Sequence, residues 1–104
     1  MDKYIMITTT FDNKEEAEKT IQALLQNKLV ASCQIVESES KWNWKKEYEE
    51  SKEYLVFMKT KKKLQKEIYD IIRGIHSYDF FEFAVFNINS YSKEYLKWIE
   101  DETV

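Results

Sequence analysis

The stretch EYLVFMKTKKKLQKEIYDIIRGI, residues 53–75, changes its hydrophobic period halfway along. Tyr54 to Met58 is continuously apolar, as a central strand covered on both faces would be. From Leu64 the apolar residues fall at Leu64, Ile68, Ile71, Ile72 and Ile75, one face of a helix. The stretch therefore predicts a strand over Glu53–Thr60, then an amphipathic helix opening at Thr60 or Lys61. Gly74, the single glycine, sits near the predicted helix end, where a C-terminal cap favours one. A strand running directly into a helix is half of a βαβ unit.

The same pattern recurs upstream. Tyr4 to Thr10 is apolar and β-branched and reads as a strand. Asp12 with Glu15 fits a capping box, and Ala17, Ile21, Leu24 and Leu25 share one face of the helix it opens, which frays near Asn27 or Lys28. Leu29 to Val36 is a second strand. Residues 41–48 read as an extended hairpin arm, on which the even spacing of Trp42, Trp44 and Tyr48 predicts a shared face. Beyond residue 75, Phe80 to Ile88 is a fourth strand. Ser92 caps a last helix with Tyr95, Leu96 and Ile99 on one side. The order is β-α-β-β-α-β-α. Two βαβ halves joined in this way give an α+β, ferredoxin-like plan, an antiparallel sheet with helices on one face. The other face is expected to meet another subunit.

Composition narrows the function. The chain has 104 residues, read as one domain over 1–104. Aromatics make up 15%, more than one small core readily absorbs, which points to a subunit interface. The net charge is −3, and Arg73 is the only arginine among 16 basic residues. Nucleic-acid binders carry a basic excess and use Arg forks, so no nucleic-acid partner is expected. No apolar run approaches the roughly 20 residues of a membrane span, so no membrane partner is expected either. One cysteine, Cys33, allows no internal disulfide, and the expected location is cytoplasmic.

Four stretches resemble a known family. Lys28-Leu29-Val30-Ala31-Ser32-Cys33-Gln34-Ile35 resembles the K-L-A-A-C-V-N-I strand of the CutA divalent-cation tolerance family. Trp42-Asn43-Trp44, with the acidic run and Glu53 to Thr60 behind it, resembles that family's Y-x-W-x-G-x-I…E-x-x-L-x-x-K-T segment. His76-Ser77-Tyr78-Asp79-Phe80-Phe81-Glu82 resembles its H-P-Y-E-x-P-E motif, and Tyr95 to Ile99 its closing Y-L-x-W-[IL]. The likeness runs from about Tyr4 to Ile99. It implies a tight, PII-like homotrimer whose arm pairs with the neighbouring subunit. It also implies a role in tolerance of copper and other divalent cations, and a cleft between subunits lined by the His76 motif. Among the departures from the pattern, the family Gly is Lys46, and its two prolines are Ser77 and Phe81. Some members carry a further His and Cys where this chain has Ile75 and Thr8.

The candidate metal residues are His76, Glu82, Asp79 and Cys33, for copper or another divalent cation. Neutral imidazole suits Cu(II) and Zn(II), and a thiolate suits Cu(I). Each also has a plainer reading. A helix-end His can bond a carbonyl, and a lone mid-strand Cys commonly serves as a small buried hydrophobe. Trp42, Trp44, Tyr48, Tyr54 and Trp98 are expected at the trimer interface, since Trp and Tyr are interface anchors. The lysines at 59, 61, 62, 63 and 66 suggest a second function, a PII-like sensor of a small anion between subunits. A structural scaffold is a third. No enzymatic activity is expected. Acylphosphatases share this fold but use an Arg in the first loop, and Thr10-Phe11-Asp12-Asn13 contains none.

Overall fold

The computed structural model describes residues 3–104, so the first two residues of the 1–104 domain lie outside the described residues. The elements are β1 (Tyr4–Phe11), α1 (Lys14–Gln26), β2 (Ser32–Trp44), β3 (Glu47–Lys61), a 3₁₀ turn (Lys62–Leu64), α2 (Gln65–Ile75), β4 (Ala84–Asn87) and α3 (Lys93–Glu102). The strands form one sheet in the order β2-β3-β1-β4, and every adjacent pair is antiparallel. This is the ferredoxin-like α+β arrangement.

The core follows from strand alternation and helix period. Ile5, Ile7 and Phe11 of β1 share a sheet face with Val56 and Met58 of β3. Ala17 and Leu24 of α1, and Leu64, Ile68 and Ile72 at and within α2, close over them. All are buried. On the opposite face lie Tyr4, Met6, Val36, Leu55, Phe57 and Phe86 by the same alternation.

Local chemistry moves several element ends from their predicted places. The cap of α1 is Asn13, not Asp12: Asn13 Oδ1 accepts the Glu16 amide at 3.0 Å. In a capping box the Glu16 carboxylate would turn back to the cap, but here it accepts the Ser77 amide at 2.8 Å. Leu29 and Val30 are buried ahead of β2, because Lys28 at φ 55° turns the chain and the strand starts at Ser32. β3 continues to Lys61, and α2 opens only after the 3₁₀ turn. Gly74 is not a cap: it lies inside α2, whose last amide bond is made by His76 to the Ile72 carbonyl. β4 is shorter than predicted: Ala84–Asn87 pairs with β1 and the Ile88 amide donates to the Tyr4 carbonyl at 3.0 Å, while Phe80 to Phe83 lie outside the strand.

The face expected to be bare is partly covered. α3 lies across one end of it, where Tyr4 Oη donates to Glu100 Oε1 at 2.9 Å. The buried Lys61 ammonium contacts Glu100 Oε2 at 3.0 Å and donates to the main-chain oxygens of Thr103 and Val104. Ile99 fills the space beneath.

β2 and β3 run on past the sheet as a hairpin arm that closes on Lys45 and Lys46. Both turn residues have positive φ, 49° and 73°. That is the two-residue turn whose twist matches its strands, and it favours Asn-Gly. The arm helps draw the molecule out to 44 Å against 26 and 22 Å. The shared face predicted for Trp42, Trp44 and Tyr48 does not form. Trp42 pairs with Glu49 and Trp44 with Glu47, whereas Tyr48 pairs with Asn43. The turn between Trp44 and Glu47 places Tyr48 on the opposite face.

Candidate functional site

His76 follows the last residue of α2, and its side chain is fully buried. Its ring stacks between Phe11 (centroids 4.4 Å, 14°) and Phe81 (4.6 Å, 11°). The Tyr78 amide donates to Nδ1 at 3.1 Å, and Nε2 meets the Thr10 carbonyl oxygen at 2.6 Å. An amide can only donate and a carbonyl can only accept. Nδ1 therefore carries the lone pair, and Nε2 carries the proton. Both nitrogens are engaged within the chain, so neither offers a free lone pair to a metal.

The replaced prolines are absorbed into this arrangement. Ser77 has an amide that proline would lack, and it bonds Glu16 at 2.8 Å. Phe81 supplies one face of the His76 stack, with the Arg73 guanidinium 6.0 Å from its ring centre.

Cys33 is far less available than its sequence neighbourhood suggests. It packs against the core, and burial pushes its thiol up to about 12, with Lys59 opposing weakly. At neutral pH it is a protonated thiol, a poor ligand and a poor nucleophile. Among the described residues, no three of His, Cys, Asp and Glu gather where they could hold a metal ion. His76, Cys33, Asp79 and Glu82 do not form one centre within the chain.

The structure does bring Asp79 and Glu82 to a cleft of about 710 Å³ between the arm and residues 78–82. Trp42, Trp44 and Phe80 form its apolar walls, with Phe80 5.6 Å from the Trp44 ring. Glu49 and Glu53 reach it from β3. Two of the carboxylates are fixed by neutral donors. Thr8 Oγ1 donates to Glu82 Oε2 at 2.9 Å, and Tyr78 Oη donates to Glu53 Oε2 at 2.9 Å. Burial, then the neighbouring Glu53 carboxylate, push the Tyr78 hydroxyl above the ordinary tyrosine range, so it stays a donor. Lys41 is the one cation on the lining, and it is already paired with Glu50 at 2.8 Å.

Glu49 and Glu53 are the lining carboxylates that sequence reasoning missed. Glu53 is only 7% exposed. The available signal was a carboxylate directly before the continuous apolar run of β3, the position where burial begins. Of the expected interface residues, Trp42, Trp44 and Trp98 are 38%, 44% and 40% exposed, and Tyr48 is 61% exposed. Tyr54 differs: it packs against the core of its own chain.

These features have clear relatives. Residues 5–102 match the family model described as CutA1 divalent ion tolerance protein. The divalent-cation tolerance protein CutA of Pyrococcus horikoshii is 32% identical over 95% of this chain and 97% of its own length. That of Archaeoglobus fulgidus is 34% identical over 100% of this chain and 99% of its own. The solved structure of the latter organism's protein, described as the periplasmic divalent cation tolerance protein CutA, aligns with a TM-score of 0.92 at 29% identity. It covers 95% of this chain and 97% of its own. With fold, length and motifs in agreement, this chain belongs to the CutA1 divalent ion tolerance family.

Proposed function

We propose that this chain acts as a cytoplasmic homotrimer in divalent-cation tolerance, without enzymatic activity. One observation carries the assembly: a sheet face that a lone chain leaves wet. Val36 and Phe86 are 48% and 50% exposed on the face opposite the helices, and Trp42 and Trp44 continue that face along the arm. Trp98 adds an exposed indole on α3, which covers part of the same face. Large apolar groups gathered on one side favour association over hydration. The single free cysteine, with no disulfide, accords with a reducing compartment.

The donors available to a cation are the cleft carboxylates Glu49, Glu53, Asp79 and Glu82 rather than His76 or Cys33. Oxygen donors suit hard divalent cations better than Cu(I). The trimer would complete such a site by bringing a neighbouring subunit to the cleft. Isothermal titration of Mg²⁺, Mn²⁺ and Cu²⁺ into the native assembly tests this. Weak uptake lost in E53Q/E82Q and kept in H76Q is expected. Copper uptake lost in H76Q and kept in E53Q/E82Q overturns the reading.

A second reading, sensing of a small anion, is supported by a groove of about 520 Å³ lined by Lys62, Lys63, Lys66 and Tyr69. It ranks lower because Lys66 is already paired with Asp70 at 2.9 Å.

A further inference from the structure

Two groups stand at the Nδ1 edge of the His76 ring. The Tyr78 amide donates to that nitrogen at 3.1 Å. The Glu16 carboxylate, reaching in from α1, brings Oε1 to 3.5 Å from it. In the neutral ring Nδ1 holds a lone pair, so no proton joins it to Oε1 and two electron-rich atoms face each other. Glu16 is held there all the same, because the Ser77 amide donates to that same Oε1 at 2.8 Å. The Glu16 side chain is 18% exposed, so it links the fully buried ring to solvent.

A proton on Nδ1 would reverse the preference. An imidazolium donates at both nitrogens and accepts at neither. Nε2 would keep its bond to the Thr10 carbonyl, and the ring would stay anchored between Phe11 and Phe81. The new Nδ1–H would face the Tyr78 N–H, donor against donor, with Glu16 Oε1 as the acceptor within reach. That oxygen can accept Ser77 and Nδ1–H together, and the added bond is charge-assisted. The Tyr78 amide is the group left without a partner. Tyr78 also bears the hydroxyl that donates to Glu53 Oε2 at 2.9 Å, so its placement bears on that carboxylate.

The other charges near the ring are few. Asp12, ahead of α1, and Glu53 of β3 act on Tyr78, whose ring centre is 4.9 Å from that of His76, and both favour a proton on the imidazole. Arg73 of α2 opposes it: its guanidinium is 6.0 Å from the Phe81 ring centre and donates to the Asp79 main-chain oxygen at 3.3 Å. Asp79 and Glu82 lie further along the segment that follows. β1 contributes neutral groups, the Thr10 carbonyl and the Phe11 ring.

We infer that His76 is an acid-sensitive latch on residues 78–82. Uptake of one proton from solvent at Nδ1 breaks the Tyr78 N–H to Nδ1 bond and forms an Nδ1–H bond to Glu16 Oε1. The segment carrying Asp79 and Glu82 is thereby freed from the end of α2. The latch lies within one chain, so it depends neither on what covers the cleft nor on how many subunits assemble. It is also independent of the reading of the cleft as a cation site.

The test is NMR of the nitrogen-15-labelled full chain in its native assembly, from about pH 8 to about pH 5.5, the range in which histidine side chains change charge. Imidazole nitrogen shifts read the proton on each ring nitrogen. Amide exchange, corrected for its intrinsic dependence on pH, reads the bonds. At the upper end the ring is expected as the Nε2–H form. As Nδ1 takes up its proton, the Tyr78 amide is expected to exchange about tenfold faster, while the Ser77 and His76 amides keep their protection. H76Q, which has no proton to gain, is expected to show no such change. E16Q, which removes the charge and keeps an acceptor for Ser77, is expected to move the change to lower pH, and it serves where H76Q does not fold. Protonation of Nδ1 with Tyr78 protection unchanged overturns the inference. So does a joint loss of protection at Ser77 and Tyr78, which would be a general opening, and so does a ring that takes up no proton across the range.

Discussion

His76 Nε2 lies 2.6 Å from the carbonyl oxygen of Thr10, so the histidine ties the end of α2 to the end of β1. The stacked Phe11 and Phe81 rings exclude water from that bond. Replacing His76 removes two ring hydrogen bonds and a three-ring stack at once. H76A is expected to lower stability by about 2–4 kcal/mol in urea unfolding at fixed protein concentration. H76Q, which can restore one bond, is expected to lose less and to keep whatever metal uptake the parent shows. Unchanged stability with lost metal uptake would make His76 a ligand and contradict the structural role.

Lys46 occupies the tip of the arm at φ 73°, where a side chain is strained and glycine is not. K46G is expected to gain up to about 1 kcal/mol, the relief of left-handed strain less the added freedom of the unfolded chain. Equilibrium unfolding of K46G beside the parent checks this. A loss of stability would mean that the Lys46 side chain contributes more than its backbone strain costs.

Glu100 is held by Lys3 first, then by Lys61 and Tyr4, and these bonds lower its carboxyl from the ordinary 4.5 to about 2. A depressed carboxyl contributes its full stabilisation above the unfolded value and loses it as the pH falls through the folded one. The contribution is therefore complete above about pH 4.5 and disappears towards pH 2. E100Q is expected to be less stable than the parent at pH 7 and to lose less on acidification through that window. Parallel pH profiles for the two proteins would show that Glu100 does not link α3 to the sheet.

The order of elements along the chain and the two core helices were legible because hydrophobic period carries them. Ile68 and Ile72 announce the buried face of α2, and Tyr54 to Met58 announce β3. Two kinds of information lay beyond that reach. The face of Tyr48 depends on the number of residues in the Lys45-Lys46 turn, and a two-residue turn reverses what even spacing along one strand implies. The role of His76 depends on a partner distant in the chain: the Thr10 carbonyl is 66 residues earlier. Motif resemblance located His76, Asp79 and Glu82 but could not say which lone pairs were free. Glu53 escaped notice because nothing in its neighbourhood shows that Tyr78, 25 residues on, would bond it.

In the proposed assembly the wet sheet face and the aromatic arm are covered by other copies of this chain. Native mass spectrometry in chelator, at low micromolar concentration, tests that assembly. A single species of three chains is expected, with no monomer before denaturation. A stable monomer would contradict it and leave Val36, Phe86, Trp42 and Trp44 exposed without a reason.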